Sequence, residues 1–268
     1  MIASFRMYNV APAAAAAWRA LFSPVFAAAG LSIEIVAHAA PAPLDALWSD
    51  PRLCGAFMCG WPFVRANPML QAIAAPVPSP ARYGHLPRYC SEFLVREASG
   101  WTRLEDTFGQ RFGWTAANSH SGFNAPRAHL AAFTTPARPM LFAEVRGSLG
   151  APMQAIDALL ASEVDVVALD SFYLDLCRRH VPEKLAALRC VATTAWTPIP
   201  LLVAAPQVHP DFVARLRTQL LSLHREPAFA PLLLDVLVER FVDVDIPAYG
   251  VLQGMAETAR ALGYTTIA

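Results

Sequence analysis

Short apolar runs alternate with amphipathic stretches along most of the chain. Residues 1–8 read as a strand, and in residues 13–29 Trp18, Leu21, Phe22, Val25 and Phe26 recur at the spacing that puts them on one face of a helix. Residues 31–37 alternate into a second strand, 44–48 open a short helix, and 56–59 form a brief apolar segment that ends in a turn at Gly60, Trp61 and Pro62. Gly60 permits the bend, and Pro62, which lacks a backbone donor, stops any continuation. Extended runs follow at 73–77 and 91–96, separated by a loop at 79–89 rich in Pro, Gly and Tyr, long enough to be functional.

From residue 111 a second unit begins: strand 111–115, a polar loop, a helix from about 121 to 133, and a strand at 141–145. Helix 153–162, strand 165–169, helix 171–179 and strand 188–194 continue the alternation. A proline-rich return at 197–202 leads to a helical remainder, with helices at 210–222, 230–237 and 249–262, the last stopped by Gly263. The repeated order of strand, loop and helix predicts an α/β protein with mainly parallel sheets. Chain leaving near 92–96 and returning near 194–202 predicts two α/β lobes joined by two crossing strands, with a ligand cleft between them. On that division residues 1–95 with 196–268 form the first lobe, and 96–195 the second.

Composition narrows the function. Of 268 residues, 55% are hydrophobic and only 16% charged, which supplies a large core and excludes a disordered chain. The 21 basic residues balance 21 acidic ones, so the chain lacks the cationic surface that binding a nucleic acid backbone needs. The 23 prolines and 13 glycines follow no repeat, which excludes collagen-like and short solenoid folds. The uncharged stretch 190–210 is long enough for a bilayer, but Pro198, Pro200, Pro206 and Pro210 interrupt it; no transmembrane segment is expected. Arg6 and the alanines at 13–17 imitate a secretion leader, yet Asn9 and Pro12 break the segment and the basic leader is a single Arg. The expectation is a cytoplasmic chain, or one whose leader was removed before this numbering begins.

Cys54, Cys59, Cys90, Cys177 and Cys190 are odd in number and widely spaced in apolar surroundings, so they read as buried free thiols rather than a disulfide framework. Cys54, Cys59, His85 and Cys90 lack metal-ligand spacing, and no metal or cofactor is expected. The informative stretch is 113–125. There a strand runs into a polar loop, and Ser119 is a favoured N-cap for the helix that follows. Unpaired amides at such a helix start suit an oxyanion, Gly122 allows close approach, and the Ser119 and Ser121 hydroxyls can donate further hydrogen bonds. Ordinary helix capping is the alternative. Nucleophile-elbow, zinc-protease, Walker A and dinucleotide fingerprints are missing, and adjacency of Ser119 and His120 does not make a nucleophile and base. Binding is favoured over catalysis.

Motifs spread in order over nearly the whole chain carry a resemblance. They are Met7 and Tyr8; 48–51; Cys59 to Pro62 through Gly60 and Trp61; Tyr89 and Ser91; 104–109; Ser119, His120, Ser121, Gly122, Asn124 and Arg127; Gly147 and Ser148; Ala168, Leu169 and Asp170; and 198–201. Together they make the chain resemble the substrate-binding components of phosphate and phosphonate ABC transporters, a branch of the type II periplasmic-binding fold. The resemblance implies a periplasmic, non-enzymatic solute-binding protein that closes on a small oxyanion-bearing ligand and delivers it to an ABC permease. It implies that Ser119, His120 and Ser121, with Gly122 and Ser148, hold the oxygens. Tyr8 and Trp61 would face them from the first lobe, and Asp170 would accept a hydrogen bond from a ligand hydroxyl or amine. Packing is the alternative for Tyr8 and Trp61, and capping of the helix at 171–179 for Asp170. Leu149 follows Gly147 and Ser148 where members of the family commonly have His, and Asn9 replaces a frequent Asp. The rival function classes are a cytoplasmic enzyme or a ligand sensor on the same scaffold.

Overall fold

A computed structural model describes residues 1–40 and 42–268. The chain begins with β1 (Ile2–Ser4), α1 (Pro12–Ala28), β2 (Glu34–Ile35), α2 (Leu44–Trp48), β3 (Leu53–Met58), α3 (Gly60–Arg65), β4 (Gln71–Pro78) and β5 (Arg88–Tyr89). It continues through β6 (Ser91–Arg96), β7 (Arg111–Gly113), α4 (Ala125–Ala131), β8 (Glu144–Arg146), α5 (Pro152–Leu160), β9 (Val166–Asp170), α6 (Ser171–His180), β10 (Leu188–Thr193) and β11 (Thr197–Pro198). It ends with β12 (Leu201–Ala204), α7 (Pro210–Ser222), α8 (Ala230–Asp235), β13 (Val238–Val242) and α9 (Gly250–Ala261). Two compact units result: Met1–Arg88 with Pro198–Pro247, and Tyr89–Thr197 with Ala248–Ala268.

The first unit is built on a six-stranded sheet of order β13-β4-β12-β3-β1-β2. Every residue of β3 is buried, and α1 buries the face read from its periodicity. An aromatic cluster fills the space beneath α1: Phe5 stacks on Phe22 at 4.1 Å, and Trp18 meets Phe57 edge-on at 5.1 Å. The Trp18 indole N–H, which needs a partner when buried, donates to the Tyr8 carbonyl at 3.2 Å. The helix α3 corrects the turn expected at Gly60, Trp61 and Pro62. Pro62 lies in the first helical turn, where the missing N–H has no intrahelical acceptor, so proline starts the helix instead of ending it.

The second unit has a five-stranded sheet of order β10-β6-β9-β7-β8. Its core gathers Phe93, Phe112, Leu130, Phe142 and Val166 together with Ala259, Tyr264 and Ile267 from the end of the chain. The expected first lobe of 1–95 with 196–268 is therefore corrected: residues 248–268 pack into the second unit, as do 89–95. Their apolar side chains are what complete its core. Asp165, at the foot of β9, is gripped by Arg96 at 2.6 Å and by Arg111 at 2.7 Å, which pins β6 and β7 to β9.

Both sheets are mixed, which corrects the expectation of mainly parallel sheets. Strands linked through crossover helices run parallel: β1 with β2 and β3, and β7 with β8 and β9. Strands beside the crossings, β4, β6, β10 and β12, pair antiparallel, because no crossover helix dictates their direction. The strand β13 corrects the helical reading of the C-terminal third. It follows α8 through Leu237, which adopts a positive φ of 53°, a turn with no glycine or asparagine to announce it.

Candidate functional site

The candidate site lies at one edge of the second unit's sheet. Strands β8, β7 and β9 are parallel neighbours, so their carboxyl ends, Arg146, Gly113 and Asp170, open on one edge. The antiparallel β6 starts at that edge, with Ser91 opposite Asp170. Three segments leave it: the loop and helix after β7, the loop 147–150 after β8, and α6 after β9. Carboxyl edges of open α/β sheets are where ligands bind, since loops there vary without disturbing the core.

Ser119 opens the helix after β7. Its backbone is extended, and its Oγ accepts the Gly122 N–H at 3.0 Å. One wide turn, His120–Asn124, follows and runs directly into α4. Capping is thus real at Ser119, and it leaves the hydroxyl proton to be donated elsewhere. A side chain at position 122 would place its Cβ 1.9 Å from Thr115 Oγ1. That face of Gly122 is turned to Thr115, so glycine is required there by packing within the loop. The Thr115 carbonyl accepts from Ser148 Oγ at 2.5 Å and from the Gly150 amide at 2.9 Å. Thr115 therefore ties the Ser119–Gly122 turn to the Ser148 loop.

His120 is 1% exposed, with its ring 6.1 Å from that of Tyr89. Burial pushes its pKa down to about 3, so the ring is neutral at ordinary pH. Its Nδ1 lies 3.2 Å from Asn124 Nδ2. Asn124 Nδ2 also donates to the Leu252 carbonyl at 3.0 Å, while its Oδ1 accepts from Arg127 at 3.1 Å. Arg127 in turn donates to the Thr265 carbonyl at 2.7 Å. Asp170 is buried at the end of β9, where its Oδ1 accepts from the Phe172 amide at 2.7 Å and the Tyr173 amide at 3.0 Å and caps α6.

Of the residues singled out in the sequence, Ser119, His120, Ser121, Gly122, Ser148 and Asp170 gather at this edge. Tyr8 and Trp61 belong to the first unit. Tyr8 is buried with its ring 4.9 Å from that of Phe57, and Trp61 carries the Arg65 guanidinium over its ring at 4.8 Å. Thr115 carries no signal in the sequence, since nothing in its neighbourhood along the chain announces its contacts. Asn124 and Arg127 had a legible signal: Asn124 follows His120, and Arg127 follows Asn124, by one helical turn.

The sequence pattern of the family described as ABC transporter, phosphonate, periplasmic substrate-binding protein matches residues 12–249. The chain belongs to this family. As a family member it is a solute-binding protein, and solved structures reproduce its fold. A binding-protein component of an ABC phosphonate transporter from Pseudomonas aeruginosa is 16% identical, with TM-score 0.77, over 98% of this chain and 87% of that one. PhnD1 from Prochlorococcus marinus, solved with methylphosphonate, is also 16% identical, with TM-score 0.77, over 97% of each chain. XAC2383 from Xanthomonas citri, solved with ATP, is 20% identical, with TM-score 0.64, over 98% of this chain and 97% of that one. No curated protein matches this binding protein in sequence.

Proposed function

We propose that this solute-binding protein takes a small phosphonate- or phosphate-bearing compound, held by its oxyanion at the helix start formed by Ser119, His120, Ser121 and Gly122. The observation that carries the reading is the capping geometry at the carboxyl edge. Ser119 Oγ is engaged as an acceptor by Gly122, which orients the hydroxyl while its proton is left to donate. Ser121, buried one turn position on, adds a second hydroxyl, and the helix amides add partial positive charge. Ser148 gives its hydroxyl proton to the Thr115 carbonyl, so it orders the neighbouring loop rather than donating to the oxyanion. The relatives solved with methylphosphonate and with ATP both bind molecules carrying phosphorus oxyanions, which agrees with this assignment.

Asp170 gives the site its second specificity element. Its carboxylate would accept from a hydroxyl or amine on the ligand and disfavour a second anionic group. The protein acts by binding without turnover, in the periplasm, and its partner is a membrane-embedded permease. Among the described residues no helix is long and apolar enough to cross a membrane.

Calorimetric titration with methylphosphonate, phosphate and sulfate tests the reading. Replacing Ser119 and Ser121 together by Ala removes donors to a charged group, each interaction worth about 1.5–3 kcal/mol, so affinity for methylphosphonate falls at least about ten- to hundredfold. Unchanged affinity overturns the oxyanion assignment, and chemical conversion of methylphosphonate during incubation overturns binding without turnover.

A further inference from the structure

The chain of contacts from His120 to the C-terminal segment decides a protonation state. Arg127 has only donors, so the Asn124 atom facing it must be the amide oxygen. The Leu252 carbonyl has only acceptors, so the Asn124 atom facing it must be the amide nitrogen. These two partners agree, and they orient the amide without reference to the histidine. The nitrogen of Asn124 then presents its other N–H to His120 Nδ1, which has to accept it. A neutral imidazole that accepts at Nδ1 carries its proton on Nε2.

We propose that Asn124 is a positioning residue for the ligand site: it holds His120 as the Nε2–H tautomer, which donates to the ligand oxyanion beside Ser119 and Ser121. The proposal rests on the oxyanion assignment made above and adds what makes its middle residue a donor. The donor carries no charge, so its strength does not change with pH in the range where a free histidine titrates. The amide is held from outside the turn. Leu252 lies on α9 and Thr265 in the segment after it, so the end of the chain braces the tautomer. The charged or titratable groups on the elements packed against the turn are Tyr89 on β5, Asp170 on β9, Arg127 and His129 on α4, and Glu257 and Arg260 on α9.

Nitrogen-15 correlation spectra of the histidine rings in the wild-type protein read the tautomer directly. The expected result is a neutral His120 protonated on Nε2 from pH 5 to 8; an Nδ1–H tautomer, or an imidazolium within that range, overturns the proposal. Asn124→Asp replaces the donor by an acceptor, which turns the ring to Nδ1–H at neutral pH. Methylphosphonate affinity then falls about tenfold or more at pH 8 and recovers at lower pH as the second ring nitrogen is protonated. The wild-type protein shows no such recovery once the ionisation of methylphosphonate itself is subtracted.

His120→Gln keeps a donor at the ε position, whereas His120→Asn keeps only the δ position, so methylphosphonate affinity is about tenfold or more weaker in the Asn variant than in the Gln variant. This pair carries the test if Asn124→Asp does not fold. Equal affinity of the two variants, or full affinity in Asn124→Asp at pH 8, overturns the proposal. A wild-type protein that binds no methylphosphonate at all overturns the oxyanion assignment beneath it, an outcome separable from the tautomer because the ring spectra need no ligand.

Discussion

Thr115 Oγ1 occupies the space that any side chain at position 122 would need, 1.9 Å from where a Cβ would be. A Gly122→Ala substitution therefore overpacks the loop and costs about 1–3 kcal/mol. Much of that cost disappears in the Thr115→Ala background. Chemical denaturation of the two single variants and the double variant measures the coupling, and additive effects contradict the contact.

Asp165 joins three strands through Arg96 and Arg111. Burial on its own would raise the carboxyl pKa, but the hydrogen bonds from Arg111 and Arg96 outweigh it and hold the group at about 2. Its contribution is thus complete above the ordinary carboxylate range and is lost as pH falls toward 2. Asp165→Ala leaves two guanidinium groups without their acceptor and costs about 3 kcal/mol at neutral pH, measured by urea denaturation. The penalty shrinks in acid.

A buried neutral histidine makes the fold acid-sensitive. Between pH 6.5, the ordinary histidine value, and about 3, where burial has pushed His120, the unfolded chain binds a proton that the folded protein refuses. Stability is complete above 6.5 and falls with decreasing pH by about 1.4 kcal/mol per unit. Between pH 6.5 and 5 the wild-type protein should lose about 2 kcal/mol more than His120→Gln. His129 is present in both proteins and cancels from the comparison.

The thiols sort by accessibility. Cys54, Cys59, Cys90 and Cys177 are buried, and burial pushes the Cys177 thiol up to about 12, whereas Cys190 on β10 is exposed. The sequence reading of five buried thiols is corrected at Cys190, because β10 is an edge strand with one face in solvent. A thiol-reactive dye should label Cys190 alone in the native protein and the remaining cysteines only after unfolding.

Tyr264 anchors the end of the chain: it is buried, and its hydroxyl donates to the Ala268 carbonyl at 2.8 Å and accepts from the Ala268 amide at 2.9 Å. Tyr264→Ala opens a cavity in the second unit and costs about 3–5 kcal/mol. Thermal unfolding of the variant measures the loss, and an unchanged midpoint would show that this packing contributes nothing.

Local chemistry made much of the fold legible. The strand at 91–96, and the helices at 44–48 and 210–222, have the bounds that periodicity and capping residues indicate. What the sequence hid was set by contacts between distant segments. Leu237 turns the chain into β13 without a turn residue, and nothing in 248–268 states which unit its apolar face will join. At the candidate site the serine-rich helix start could be read directly, since capping is a local property. The Thr115 contacts and the amide orientation of Asn124 could not, because their partners lie across the turn at Gly122, on the loop after β8 and on α9.

The return of residues 248–268 to the second unit means that its hydrophobic interior is assembled from two stretches separated by about fifty residues of the other unit. A fragment cut at 89 and 197 is left with an apolar scar where Ala259, Tyr264 and Ile267 belong, and should precipitate or recruit the missing piece from solution. Supplying that piece as a synthetic peptide turns the scar into a split-protein reporter, in which recovery of soluble material counts each successful reassembly.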